Sequence, residues 1–374
     1  MTRVAVSARL PVFPWDRLEP YKSAAAGHPD GIVDLSVGTP VDPVPEPVRR
    51  ALAAAADSPG YPTVWGTPRL REAILGWCGR RTGARGLDHA NVLPVIGSKE
   101  LVAGLPAQLG IGPGEKVAYP VPAYPTYEVG ALLAGAEPVP YRTGPGGPEP
   151  TGLENVPGLR LLWLNSPSNP TGRVLGVPEL RAVVAWARER GVLVVSDECY
   201  LELGWEAEPV SVLHPEVCGG SAEGLVAVHS LSKRSNLAGY RAAFLAGDAA
   251  VLGELLAVRK HAGFMLPAPV QAAMVAALED DAHAEEQRER YAARRAVLRE
   301  ALLGQGFSLR HSEASLYLWA TRGEPCWETV GGLSKQGILV APGEFYGPGG
   351  EEFVRVALTA TDERIAAAVR RLAA

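Results

Sequence analysis

The stretch from Ser230 to Arg241 brings two hydroxyls, a lysine amine and a guanidinium together, as Ser230-Leu231-Ser232-Lys233 and then Gly239-Tyr240-Arg241. It follows directly on the apolar run Leu225–Val228. Hydroxyl donors and a forked guanidinium suit a phosphate dianion. A lysine amine suits an aldehyde, with which it forms a Schiff base. Pyridoxal 5'-phosphate carries both groups, so one short segment could hold its two ends. Alone, the same segment also reads as a surface turn with scattered polar residues. The only lysines are Lys22, Lys99, Lys116, Lys233, Lys260 and Lys335, which keeps the candidates for a Schiff base few.

Other polar residues stand where apolar runs end, and ligands collect at the carboxyl ends of parallel strands. Gly97-Ser98-Lys99 follows the run ending at Ile96 and opens a helix, whose free N–H groups suit a phosphate. A plain N-cap serine fits there as well. Tyr124, after the run Lys116–Tyr119, could stack on a flat heterocycle or pack in the core. Asn169 lies in Asn165-Ser166-Pro167-Ser168-Asn169-Pro170-Thr171-Gly172, which is turn chemistry that could also present an amide to a phenolic oxygen. Asp197 ends the apolar run Val192–Val195, where a carboxylate is costly unless paired. A protonated pyridine nitrogen would pair with it; a helix cap or a structural ion pair would also account for it. Tyr200, three residues on, could reach the ring oxygen.

Asn169, Asp197 and Lys233 stand 28 and 36 residues apart, room in each gap for one crossover helix and the next strand. Right-handed crossovers bring all three to one edge of one sheet. Two further residues are candidates on the substrate side. Gly38 could offer backbone to a substrate. Arg355 is a charge inside the apolar strand Phe353–Leu358 and wants a carboxylate, either a substrate's or a protein partner's. The glycine-rich Gly110–Lys116 fails the Walker and dinucleotide spacings and reads as a turn.

The elements that must position these residues alternate. Apolar runs at Asn91–Ile96, Lys116–Tyr119, Glu137–Pro140, Leu161–Leu164, Val192–Ser196, Leu225–His229 and Ala242–Ala246 are separated by helical stretches. This predicts an α/β fold with a mainly parallel sheet. A break at Leu266-Pro267-Ala268-Pro269 precedes a long amphipathic helix, Ala282–Leu303, then strands near Ala314–Ala320, Ile338–Ala341 and Val354–Leu358 and a closing helix. The expected organisation is an extended N-terminal arm (1–45) joining the small domain, a large α/β domain (46–270) and a smaller α+β domain (271–374).

Bulk properties exclude several classes. A net charge of −5 argues against nucleic acid as a partner. No apolar run approaches about eighteen residues and no signal-peptide pattern opens the chain, so no membrane association and a cytoplasmic location are expected. Cys78, Cys199, Cys218 and Cys326 form no CxxC pair, which fits reduced thiols better than a disulfide framework or a metal site.

With these residues in hand, the chain resembles the fold-type I, class I/II pyridoxal-phosphate aminotransferases over nearly its full length. The motifs are Tyr-Pro-x-x-x-Gly-x-x-x-Leu-Arg at Tyr61–Arg71, Asn-Pro-Thr-Gly at Asn169–Gly172, Asp-Glu-x-Tyr at Asp197–Tyr200, and Ser-x-Ser-Lys at Ser230–Lys233 with the trailing Arg241. More narrowly, Ile96–Leu101, Ser230–Tyr240, Phe264–Ala273 and Val354–Arg364 resemble actinobacterial N-succinyldiaminopimelate aminotransferases of lysine biosynthesis. The resemblance implies that Lys233 forms the Schiff base and carries the proton, and that Asp197 holds the pyridinium. It gives the ring oxygen to Asn169 and Tyr200, the ring face to Tyr124, and the phosphate to Ser98, the Lys99 backbone, Ser230, Ser232 and Arg241. Arg355 and Asn169 would hold the α-carboxylate. Tyr61 would reach the phosphate of a neighbouring subunit, which implies a homodimer with shared sites. Glutamate is the implied donor and a keto acid the acceptor, in a ping-pong exchange. Departures are Arg234-Ser235-Asn236-Leu237-Ala238 after the lysine, where many relatives have an aromatic, and Lys99 in place of a small residue. The rivals are an aromatic or branched-chain aminotransferase, a β-lyase on the same scaffold, and a non-catalytic cofactor-binding regulatory module.

Overall fold

The structure is a computed structural model that describes residues 5–143, 150–153 and 155–373. Apolar runs without alternation belong to strands covered on both faces, and the runs here form one eight-stranded sheet. Its order is Val92–Val95, Ala243–Gly247, Leu225–Ser230, Leu193–Asp197, Leu159–Asn165, Lys116–Pro120, Glu137–Thr143 and Pro150–Thr151. The five strands from Leu225–Ser230 to Glu137–Thr143 run parallel. Ala243–Gly247 is antiparallel to both its neighbours. The fold is therefore α/β with a mainly parallel sheet, as the alternation predicts.

Because side chains alternate across a strand, each run feeds two cores. Leu161, Trp163, Val195 and Val228 pack with Leu101, Leu105 and Tyr127 on one face. Leu162, Leu164, Val194 and Ala227 pack with Ile74, Leu180 and Val183 on the other. The register sets Asn165 beside Asp197, so adjacent strands end together and their last polar residues meet at one edge.

Two expectations need correction. The N-terminal stretch is not simply extended: it forms 3-10 turns at Val6–Arg9 and Pro14–Leu18 and a helix at Glu19–Ala26. Pro20 sits in the first turn of that helix, where a missing N–H costs nothing. The break at Pro267 is the start of a helix, Ala268–Glu279, again with proline in its first turn. Its Ala273, Met274, Ala277 and Leu278 belong to the core of the large sheet, so the boundary expected after residue 270 falls inside an element of that core.

A second, antiparallel sheet orders Ser308–Leu309, Tyr317–Thr321, Val354–Ala357 and Ala341–Pro342. It shares a core with Leu18, Val33 and Leu35 from the chain start and with Tyr291 and Leu298 of the long helix Ala282–Gly304. Main-chain bonds stitch the region of this sheet to that of the large one, among them Ala123 N to Tyr346 O at 2.8 Å and a cluster at residues 312–315. Ser312 N donates to Thr171 O at 2.8 Å, Ala314 N to Gly172 O at 3.1 Å, and Ser315 N to Leu203 O at 2.8 Å. His311, Ser312 and Ser315 adopt left-handed φ values of 54°, 64° and 73° to do so, conformations that non-glycine residues take only where surrounding contacts hold them. Among the described residues, no helix is long and apolar enough to cross a membrane.

Beneath the sheet edge, Glu198 Oε2 lies 3.6 Å from His229 Nε2, with both side chains buried. The imidazole is enclosed by the Trp77 and Phe244 rings. Burial pushes the Glu198 carboxyl from 4.5 up to about 7 and holds His229 from 6.5 down to about 3. Between pH 4.5 and 6.5 the folded carboxyl keeps a proton that the unfolded one has lost, so its contribution to stability falls as pH rises. The unfolded imidazole keeps a proton that the folded one lacks, so its contribution rises with pH over the same window. The two slopes oppose each other. In Glu198→Gln only the histidine slope remains. Denaturant midpoints should then decline from pH 6.5 to 4.5 more steeply than in the parent, by up to about 1.4 kcal/mol per pH unit. Equal slopes in the two proteins would refute the coupling.

Candidate active site

Asp197 is the last residue of its strand and is buried. Tyr127 donates its hydroxyl to Oδ2 at 2.8 Å and the Cys199 N–H donates to Oδ1 at 3.2 Å. Burial pushes the carboxyl upward, against these two bonds, which favour the anion. No cation faces it among the described residues, so it is a buried carboxylate short of a partner. Asn165 braces the same edge: its Nδ2 donates to Asp197 O at 3.0 Å while its Oδ1 accepts from Asn169 N at 2.8 Å.

Lys233 lies in the short helix Leu231–Arg234 at the end of the next strand, and its amine donates to the Gly38 carbonyl. The amine sits deep enough that desolvation pulls its pKa below the usual lysine value. Residue 38 must be glycine here, since a Cβ would lie 2.1 Å from the Tyr317 hydroxyl. That hydroxyl is 3.1 Å from the Tyr200 hydroxyl.

Arg355 is 3% exposed, in the middle of the small sheet. Nη1 donates to Asn169 Oδ1 at 2.9 Å and Nη2 to Ser36 O at 2.7 Å, and Nε has no partner. The Tyr317 and Tyr346 rings lie against the guanidinium, at 3.9 and 5.0 Å from Cζ. No carboxylate pairs with it among the described residues. Removing a guanidinium from water without a counter-ion is unfavourable, so Arg355 is a buried cation without a counter-charge among the described residues.

The hydroxyl and guanidinium groups gather on the other side of Lys233. Gly97, with φ +81°, precedes Ser98 at the start of the helix Ser98–Gln108. A Cβ on Gly97 would lie 2.2 Å from Arg241 Nη2, so the guanidinium rests directly on this turn. Ser230 Oγ accepts from Ser232 N at 3.2 Å, and both serines are buried. The Cys199 thiol lies within the influence of Ser98 and of the charges of Asp197 and Lys233, which sets this end near the carboxylate end. Tyr124 stands edge-on to Tyr127, with centroids 5.9 Å apart. The exposed Lys99 amine lies 5.9 Å from the Tyr124 ring and 5.7 Å from that of Phe13.

The fold thus joins Asn169 to Arg355 and Gly38 to Lys233 directly, reaches Asp197 through Asn165 and Tyr200 through Tyr317, and sets Arg241 on the Gly97 turn before Ser98 and Ser230 against Ser232. Tyr61 is apart, 96% exposed. Three residues without an assigned part in the sequence reading prove central: Tyr127, Asn165 and Tyr317. Asn165 had a signal, as the polar end of an apolar run; Tyr317 had none.

A family model of the class I and II aminotransferases matches residues 30–372. The chain belongs to that family. It is 62% identical over 363 residues to the 4-dedimethylamino-4-oxo-anhydrotetracycline transaminase of Streptomyces rimosus, covering 97% of this chain and 99% of that one. An LL-diaminopimelate aminotransferase of Dehalococcoides mccartyi is 32% identical, covering 92% and 91% respectively. Among solved structures, a double mutant of Thermus thermophilus aspartate aminotransferase superposes with a TM-score of 0.88 at 25% identity, covering 100% and 99%. This aminotransferase therefore has the fold-type I architecture and depends on pyridoxal 5'-phosphate.

Its side chains fit that cofactor. The buried Asp197 without a cation matches a pyridinium nitrogen, and the Lys233 amine matches an aldehyde. The Gly97 turn with Arg241 laid on it leaves no space for a side chain, as a phosphate cradle requires.

Proposed function

We propose that this aminotransferase carries out N-succinyl-LL-2,6-diaminopimelate:2-oxoglutarate amino transfer in lysine and diaminopimelate biosynthesis. The observation that carries amino-acid transfer is Arg355, a buried fork held by Asn169 and Ser36 and lacking a carboxylate. It takes the substrate α-carboxylate, which sets the Cα near Lys233. The succinylated substrate is supported by the motifs at Ile96–Leu101 and Val354–Arg364 and by the diaminopimelate-acting relative.

When bound, the cofactor supplies an aldehyde for the amino group and a ring that accepts electrons. Lys233 Nζ moves the proton from the substrate Cα, and desolvation favours the neutral amine that can accept it. Asp197 keeps the ring nitrogen protonated. Asn169 and Tyr200 hold the ring oxygen, and Tyr124 covers the ring face. Ser98, the Lys99 backbone, Ser230, Ser232 and Arg241 hold the phosphate. A second copy of the chain supplies Tyr61, which is 96% exposed here. The structural halves divide after the helix Ala268–Glu279, with the N-terminal arm joined to the C-terminal sheet.

The Streptomyces relative motivates a second reading, in which the acceptor is a ketone on a polycyclic ring system. A half-reaction panel decides between them. The holoenzyme is first converted to its aminated form with L-glutamate, and the return of the visible cofactor band is followed with each acceptor. We expect rapid return with the succinylated keto acid. Return only with a polycyclic ketone, or with aromatic or branched-chain keto acids, would replace the substrate assignment.

A further inference from the structure

Tyr317 touches Arg355, Tyr200 and Gly38, although nothing in its sequence context marks it. It is 3% exposed, at the start of the strand Tyr317–Thr321. Its ring backs the Arg355 guanidinium at 3.9 Å, its hydroxyl lies 3.1 Å from that of Tyr200, and its phenol fills the space that a Cβ on Gly38 would occupy. The Gly38 carbonyl in turn accepts from Lys233. We propose that Tyr317 is a positioning residue with two separable tasks: its ring fixes the plane of the Arg355 fork, and its hydroxyl supports Tyr200 as a hydrogen-bond donor. The inference rests on the parts proposed above for Tyr200 and Arg355, and not on which amino acid is the substrate.

The ring's task follows from geometry. A guanidinium held between two aromatic faces, Tyr317 and Tyr346, keeps one orientation, and attraction between cation and ring reinforces it. The hydroxyl's task follows from hydrogen-bond polarisation. A phenol that accepts a bond becomes a stronger donor to its next partner. Tyr200 placed between the Tyr317 hydroxyl and the ring oxygen of the cofactor is such a relay. The other charged or titratable groups that face the two phenols are Arg355, Lys233, Cys199, Tyr124, Tyr291 and Tyr346. Burial opposes ionisation of Tyr317, but the charges of Arg355 and Lys233 lower its pKa and help to hold its phenol below the usual range. With Tyr200 donating to the ring oxygen, the Tyr317 hydroxyl is left as the donor between the two phenols, a direction that their 3.1 Å separation permits.

The two tasks separate in two variants of the holoenzyme. Tyr317→Phe keeps the ring and loses the hydroxyl; Tyr317→Leu loses both. The readouts are the pH midpoint of the bound cofactor's visible band, which needs no substrate, and the KM of the amino donor found in the half-reaction panel. In Tyr317→Phe the ring oxygen loses support, so its anion is less favoured. The midpoint should move up in pH, with KM within about twofold of the parent. In Tyr317→Leu the KM should also rise about tenfold, within the range for a lost cation–aromatic contact. Tyr200→Phe should move the midpoint on its own, and adding Tyr317→Phe to it should move it no further, because the two hydroxyls act as one unit. Additive shifts, or a Tyr317→Phe midpoint equal to the parent's while Tyr200→Phe shifts, would overturn the hydroxyl's task. An unshifted Tyr200→Phe would remove the reading of Tyr200 and that task with it. A Tyr317→Leu protein with parental KM would overturn the ring's task.

Discussion

Lys233→Ala should lose at least about ten-thousand-fold in kcat while remaining folded. Two functions leave with one side chain, the covalent attachment of the cofactor and the base at the substrate Cα, and a positioned base alone is worth about a hundred- to ten-thousand-fold. The loss is confined to chemistry. Among the described residues its amine bonds only to the Gly38 carbonyl, while the adjoining Leu231 and Arg234 are buried and hold the short helix in place. Asp197, Arg241 and the serines keep their partners, so the variant should still bind the cofactor non-covalently, with the visible band changed. Stopped-flow absorbance with glutamate, together with a melting curve, checks both halves. Parental turnover in this variant would remove Lys233 from the mechanism altogether.

The second large effect is expected at Arg355. Arg355→Lys keeps the charge but not the fork, and one ammonium cannot serve Asn169 Oδ1, Ser36 O and an incoming carboxylate in the same plane. Breaking a desolvated charge pair by changing one partner costs 2–5 kcal/mol or more. We therefore expect kcat/KM for α-amino acids to fall roughly a thousandfold, about 4 kcal/mol. The cofactor's spectrum and its pH midpoint should change little, because Asp197 and Lys233 are untouched. Simple amines without a carboxylate should react at nearly the parental rate. If amino acids and amines lost equally, Arg355 would be a structural cation and not the carboxylate site.

How far these assignments could be read from the chain differs by region. The large sheet is legible because its strands are buried on both faces, which leaves apolar runs such as Leu225–Val228, some of them followed by polar residues. Asp197 and Lys233 are recognisable for that reason: polar groups at the ends of buried strands have few other uses. The small sheet was harder. Its strands Ser308–Leu309 and Ala341–Pro342 are two residues long, too short for any period to show. The helix Cys326–Lys335 carries Gly331-Gly332 in its interior, which weakens its helical signal. The start of the chain was misread because proline suggests extension, whereas Pro20 lies where a helix tolerates it. Tyr317 depends on the approach of Gly38 from a distant part of the chain, and no local pattern encodes such a meeting. Tyr127 lies three residues beyond Tyr124 at a helix start, yet nothing local shows that its hydroxyl turns toward Asp197.

The bond from Lys233 to the Gly38 carbonyl also bears on timing. A lysine displaced by an incoming amine would otherwise sample many rotamers before it met its partner again. Gly38 offers it a berth on a segment that cannot drift. Arg294 grips Asp42 with bonds of 2.6 and 2.8 Å, and Thr359 holds Val37 O at 3.0 Å. With the cofactor bound, an amine waiting at that carbonyl would stay at a high effective molarity for its return. Closing a cycle would then need no second molecule from solution.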